Sequence, residues 1–250
     1  MRILVSGLGG HMGAEVAKLC QAGCRGAVLT AGVDYQNAGS VTAVPCAPDF
    51  ASACADVDCV VDFSHHACTG DLLAFGVKNR LPLVIATTGQ TEEERAAIEE
   101  AAKQIPIFFA ANFSLGIALL IELAKKAAAA MPDAEIEIVE KHHDRKLDAP
   151  SGTALAIARA LQTVRPEAEI VCGRSGMAKR TKTEIGISAV RMGNIAGEHE
   201  VLIGTDNQTI TLKHETHDRA LFAEGALAAA AFLCGKPAGL YDMESLLAEA

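Results

Sequence analysis

The chain alternates between short apolar runs and longer segments whose apolar positions recur at helical spacing. Arg2-Ile3-Leu4-Val5-Ser6 is almost continuously apolar, as expected of a strand buried on both faces of a parallel sheet. A glycine-rich turn follows, and then Ala14-Glu15-Val16-Ala17-Lys18-Leu19, which reads as an amphipathic helix. Residues 28–34, 59–64, 82–87 and 105–110 read as further strands, with helices over about 66–78 and 90–104. The second of these helices opens on Thr91-Glu92-Glu93-Glu94, a strong start signal. Strands alternating with helices predict an α/β domain with a doubly wound parallel sheet. Ligands of such sheets sit beyond the carboxyl ends of the strands. One rim then carries residues 7–13, Asp34, Phe63-Ser64, Ala86-Thr87-Thr88 and Ala110-Ala111-Asn112-Phe113. His65 and His66 lie there too and read as polar residues opening a helix.

After a helix over 114–131 the texture changes. Residues 135–140 alternate polar and apolar, which marks a half-exposed strand, and its end delivers His142 and His143. Strand-like runs at Glu184–Arg191, 198–203 and 209–214 follow one another without helices between them. That grouping predicts a second, α+β domain with a mixed or antiparallel sheet. His199 alternates with apolar neighbours and reads as a structural or interface residue. Residues 173–182 carry four cations and two glycines without periodicity, and read as a mobile basic loop, either solvated or a lid over an anion. An Ala-rich helix from Asp218 onward reads as a packing element.

Composition narrows the class. Half of the 250 residues are hydrophobic and 21% are charged, which is a globular composition without disordered bias. The net charge of −9 argues against nucleic acid or a membrane surface as partner, and an anionic ligand would need a local basic patch. No stretch approaches the ~20 apolar residues of a membrane span. The N-terminus runs from Met1 into a strand with no secretory pattern. The eight cysteines form no Cys-x-x-Cys pair, so buried free thiols in a reducing cytosol are expected, with no metal site.

Two segments carry chemistry. Gly7-Leu8-Gly9-Gly10-His11-Met12-Gly13 sits between strand and helix, the context a dinucleotide fingerprint needs. Gly7 and Gly9 fit the first two glycine places, but Met12 occupies the third and Gly13 comes one later. Asp34 ends the second strand ~20 residues past the turn, where a carboxylate accepts hydrogen bonds from an adenosine ribose. The bland alternative is an Asp capping its own turn.

The second segment is Glu140-Lys141-His142-His143-Asp144-Arg145-Lys146-Leu147-Asp148-Ala149-Pro150-Ser151-Gly152-Thr153-Ala154. His142, His143 and Lys146 offer proton exchange and a fixed cation. Pro150 and Ser-Gly-Thr mark a helix N-terminus, whose unpaired amides bind carboxylate or phosphate. Together they suggest a site for a small anionic molecule. The alternative is a strand-end loop followed by an ordinary cap.

These stretches, with Thr87-Thr88-Gly89, Ala110-Ala111-Asn112-Phe113-Ser114 and Arg191-x-Gly193…Gly197-Glu198-His199-Glu200, resemble the bacterial dihydrodipicolinate reductase family from end to end. The resemblance implies a Rossmann-type nucleotide domain, 1–113 with 219–250, and a mixed-sheet substrate domain, 114–218. It implies a cytoplasmic homotetramer of lysine and diaminopimelate biosynthesis. The reaction implied is dehydration and NAD(P)H reduction of 4-hydroxy-tetrahydrodipicolinate, a small cyclic dicarboxylate with a conjugated imine. By the same resemblance His142 and Lys146 are catalytic proton donors. His143, Ser151, Gly152 and Thr153 bind substrate carboxylate. Gly7, Leu8, Gly9, Gly10, His11, Met12, Asp34, Ala86, Thr87, Thr88, Ala110, Ala111, Asn112 and Phe113 bind cofactor.

Family members that handle NADPH well carry arginine where this chain has Tyr35, and often another where it has His11. A 2′-phosphate suits a guanidinium fork, whereas Asp34 repels it. NADH is therefore the expected cofactor, with NADPH as the alternative. Two other readings share the nucleotide fold: a dehydrogenase of an amino-acid semialdehyde, and a non-catalytic NAD-binding regulator.

Overall fold

The computed structural model describes residues 1–41 and 43–249. The chain forms two compact units, Met1–Ser114 with Ala220–Ala250, and Leu115–Arg219. The first begins with β1 (Arg2–Ser6), α1 (His11–Gln21), β2 (Val28–Val33), β3 (Cys46–Ala47) and β4 (Cys59–Asp62). It continues through α2 (Thr69–Asn79), β5 (Leu83–Ile85), α3 (Glu92–Ala102) and β6 (Pro106–Phe109). The second unit holds α4 (Leu115–Ala130), β7 (Glu135–His142), α5 (Gly152–Gln162), β8 (Glu169–Cys172), β9 (Glu184–Arg191), β10 (Gly197–Thr205) and β11 (Gln208–Thr216). The chain returns to the first unit with α6 (Ala220–Leu233), β12 (Gly239–Tyr241) and α7 (Met243–Leu247).

The first unit is the doubly wound sheet that the alternation predicts. Its strands are all parallel, in the order β12-β6-β5-β4-β1-β2-β3. Ile3, Leu4, Val5, Val60, Val61 and Val84 are fully buried, which explains why these strands are apolar throughout rather than alternating. β1 pairs with β2 on one side and β4 on the other, so the strand order reverses beyond Ser6, where the glycine turn starts. α3 opens on the reciprocal Thr91/Glu94 capping box expected from its sequence. The helix expected from residue 66 begins as a single tight turn, His66–Cys68, because the His65 ring accepts the Ala67 amide. β3 and β12, two and three residues long, are too short for periodicity to reveal.

The second unit resolves the choice left open by sequence: its sheet, β11-β10-β7-β9-β8, is mixed. β10 is antiparallel to β7 and β11, while β7, β9 and β8 run parallel. Leu120, Ala124, Ile157 and Leu161 of α4 and α5 pack with Ile136, Ile138, Ile187 and Val201 in one core. Side chains alternate across a strand. Ile136, Ile138, Glu140 and His142 therefore share the buried row of β7, which turns from apolar to ionisable at its C-terminal end.

Candidate active site

In the first unit, Gly7 adopts φ +79°, and the amides of Gly7 and Leu8 both donate to the Val33 carbonyl, at 2.8 and 3.4 Å. The Gly10 amide donates to the Gly7 carbonyl at 3.0 Å. These donors close the turn, so Gly7, Leu8 and Gly10 shape it instead of presenting amides. The Leu8 side chain is buried against Gly32. α1 then starts at His11 with no side chain capping it, which leaves the His11, Met12 and Gly13 amides at its open end. The ambiguity in the glycine spacing is settled by contact. A Cβ on Gly13 would overlap the Gly7 carbonyl oxygen and stand 2.6 Å from Leu8 Cα, so Gly13 allows the helix to pack on the strand.

Asp34 lies 7% exposed at the end of β2. Its Oδ1 accepts the Gln36 and Asn37 amides at 3.0 and 2.7 Å, and its Oδ2 accepts the Gly9 amide at 2.8 Å. It caps its own turn and also ties that turn to the glycine loop. An uncapped helix end, a glycine that admits close approach and a carboxylate beside it fit a dinucleotide.

Two loops on the same rim are held from below by a residue the sequence reading passed over. Asp62, 2% exposed, accepts the Ser64 hydroxyl at 2.6 Å and the Thr87 hydroxyl at 2.5 Å. A carboxylate ending an otherwise apolar buried strand was the available signal. The Thr87 side chain therefore turns inward, while Thr88 and Gly89 are exposed. Phe113 is 2% exposed against Phe63 and Phe108, so its ring anchors its loop. Ala111 is exposed, Ala86 and Ala110 are half-buried, and the half-buried Asn112 accepts the Ser114 amide at 2.8 Å. His66 Nδ1 lies 3.1 Å from both oxygens of Glu94.

In the second unit, register brings the chemistry together. His199 of β10 lies opposite Glu140 of β7, and Arg191 of β9 lies beside His142. His142 Nδ1 is 2.6 Å from Glu140 Oε2, and Arg191 donates to both Glu140 oxygens at 2.8 and 2.7 Å. Burial pushes the Glu140 carboxyl up, but Arg191, His142 and the Ser151 amide outweigh it and hold it below the usual carboxylate range. Gly197 keeps space beside the other ring nitrogen, since a Cβ there would stand 3.1 Å from His142 Nε2.

His199, read as structural, belongs to this cluster. Its ring meets that of His142 edge-on at 5.2 Å, and its Nε2 is 3.1 Å from Ser151 Oγ. Burial, then the neighbouring His142, push its pKa down to about 4, so it is neutral at pH 7. Ser151 is 2% exposed; its amide donates to Glu140 at 2.9 Å and its hydroxyl caps α5 at the Ala154 amide, 3.2 Å. Its amide and hydroxyl are thus engaged within the unit, where Ser151 positions the helix start.

Lys146 Nζ is 2.8 Å from Asp148 Oδ1. That contact and, in smaller part, the Gly152 amide hold the Asp148 carboxyl below its usual range. Asp148 thus already lies against the helix start that would cradle a substrate anion, a partner the sequence reading did not foresee. Gly152 leaves open space, since a Cβ there would meet nothing. Burial, then Arg145 and Arg219, hold the His143 ring below the usual histidine range, and its buried Nδ1 has no hydrogen-bond partner among the described residues. The 173–182 segment is less free than its composition suggests. Arg180 donates to Glu137 at 2.9 Å and to the Glu184 carbonyl at 2.6 Å, and Arg174 pairs with Glu184.

The family described as dihydrodipicolinate reductase, N-terminus, matches residues 1–113, and its C-terminus counterpart matches residues 116–247. The chain is 47% identical to a 4-hydroxy-tetrahydrodipicolinate reductase of Caldanaerobacter subterraneus, over 99% of this chain and 98% of that protein. It is 41% identical to one of Clostridium tetani, over 99% and 97%. Among solved structures it is similar to a dipicolinate-bound dihydrodipicolinate reductase from Paenisporosarcina sp. TG-14. That match has a TM-score of 0.81, 26% identity and 97% coverage of each chain.

Proposed function

Because the chain belongs to the dihydrodipicolinate reductase family, we propose that it reduces 4-hydroxy-tetrahydrodipicolinate, with the nucleotide held by the first unit and the dicarboxylate by the second. The observation that carries this reading is the 140–154 segment. Its expected proton donor His142 and the start of α5 are bound to one carboxylate, Glu140. Neither a bare nucleotide-binding regulator nor a generic dehydrogenase requires that pairing of proton donor and anion cradle.

The α1 turn would hold the pyrophosphate of a reduced nicotinamide dinucleotide, which would supply a hydride for the conjugated imine. His142, with its Nδ1–H facing Glu140, exchanges a proton at Nε2 and answers the negative charge that reduction builds. Lys146, steadied by Asp148, is the second proton donor. His143 and the Gly152 and Thr153 amides hold substrate carboxylate, with Asp148 turning aside from Gly152 as the substrate enters. The test is coupling to dihydrodipicolinate synthase with pyruvate and aspartate semialdehyde while following nicotinamide absorbance. Oxidation no faster than the uncoupled rate overturns the proposal.

The proposal extends to NADH as preferred cofactor. Tyr35 donates its hydroxyl to Asp71 at 2.7 Å, so a second carboxylate stands where a 2′-phosphate would need a cation. His11 is exposed at the opening of α1. A charge-assisted hydrogen bond is worth about 1.5–3 kcal/mol, so kcat/KM should favour NADH by about tenfold or more. Tyr35→Arg should narrow that ratio. A clear NADPH advantage at subsaturating cofactor would refute this account of Asp34 and Tyr35.

By the same resemblance the enzyme is proposed to be a cytoplasmic homotetramer. The half-exposed face of the second sheet, where Lys141 sits 3.1 Å from both Glu198 and Glu200, supports a subunit contact there. Among the described residues, no helix is long and apolar enough to cross a membrane.

A further inference from the structure

Glu140 exchanges no proton in the chemistry proposed above, yet both of its carboxylate oxygens are fully engaged. Its side chain is 0% exposed. Oε2 faces His142 Nδ1 at 2.6 Å and accepts Arg191 Nη1 at 2.8 Å. Oε1 accepts Arg191 Nη2 at 2.7 Å and the Ser151 amide at 2.9 Å. A carboxylate offers about four lone-pair directions, and four partners fill them. Those partners come from β7, from β9 and from the residue that caps α5.

We infer that Glu140, locked by Arg191, is the positioning residue of the reaction: it sets the His142 tautomer and ties the anion-binding start of α5 to that ring. The inference rests on the reading of His142 as proton donor. A neutral imidazole carries one N–H, and the nitrogen that faces a carboxylate is the one that bears it. Nε2 is thereby reserved for exchange. When the ring gains its second proton, the adjacent carboxylate stabilises the imidazolium without moving a proton itself.

Arg191 is needed because a lone buried carboxylate is strongly disfavoured and would take up a proton, losing its hold on the ring. The same guanidinium donates to the Asp148 carbonyl at 2.5 Å, so it also braces the stretch that carries Lys146. One ion pair thus orients the first donor, supports the second and anchors the anion cradle. A merely structural pair would contribute to folding and leave the tautomer of any folded variant unchanged.

Three variants test this: Glu140→Gln, the doubly neutral Glu140→Gln/Arg191→Met, and His142→Gln. The double variant leaves no unpaired buried charge, which keeps the question answerable if the single one misfolds. Turnover of both Glu140 variants should fall about 100-fold, the scale of a 1 Å misplacement, with NADH affinity unchanged. Two-bond nitrogen–proton correlations on the ring should show His142 protonated at Nδ1 in the wild type and mixed or inverted in both variants. A folded double variant with wild-type tautomer and turnover overturns the inference. Full turnover of His142→Gln overturns the reading of His142 and this inference with it. Slow His142→Gln beside a fast double variant overturns the inference alone.

Discussion

Lys146→Ala lowers turnover by about two to four orders of magnitude, the usual scale for losing a positioned acid. The fold should tolerate the change. Lys146 is 23% exposed and its partner Asp148 is 58% exposed, so the broken pair is a surface contact worth at most about 1 kcal/mol. NADH affinity should also persist, because Lys146 lies in the second unit and the nucleotide turn in the first. His142→Gln should be similarly slow. A glutamine amide can donate to Glu140 as the ring does, so the buried carboxylate keeps a partner while the exchangeable proton is lost. Steady-state turnover, a thermal melt and a fluorescence titration with NADH separate these effects. Wild-type turnover in Lys146→Ala would end its assignment as a proton donor.

Gly13→Ala abolishes tight cofactor binding, whereas Gly10→Ala does not. The added methyl at residue 13 runs into the Gly7 carbonyl oxygen and approaches Leu8 Cα at 2.6 Å. Both obstacles are backbone, and both belong to the turn that presents the α1 amides. The helix must retreat or the turn must open, at about 1–3 kcal/mol, the typical cost of overpacking. At residue 10 the methyl meets only the Gly7 oxygen, at 3.2 Å, and the backbone has φ −84°, which any residue adopts. NADH titration of the two variants decides the point. Equal affinities would mean that Gly13 is not the glycine that lets helix and strand close.

The contrast between these glycines shows where sequence reasoning stops. Strand β1, the turn and α1 follow from local rules: a continuous apolar run, residues that tolerate φ above zero, and apolar spacing near 3.6. The two-sheet organisation is legible for the same reason, since helices interleave with strands throughout the first stretch, whereas β9, β10 and β11 follow one another with none between. The Thr91/Glu94 capping box and the Ser151 cap are encoded within four residues of each helix start. Resemblance added roles for His142 and Lys146 that spacing alone left open.

Side-chain partnerships between distant positions were decided only by the tertiary structure. Glu140 meets Arg191 across 51 positions of sequence, and Ser151 meets His199 across 48. Thr87 turns inward because Asp62, 25 positions earlier, ends the neighbouring strand. Each of these contacts depends on strand register, and a slip of one residue would turn every one of those side chains to the opposite face. Register is set by burying whole rows at once, such as Ile136, Ile138, Glu140 and His142 of β7, whose apolar members pack with α4 and α5. Local periodicity shows that such a row exists; only the packed sheet determines which ionisable groups lie next to each other at its end.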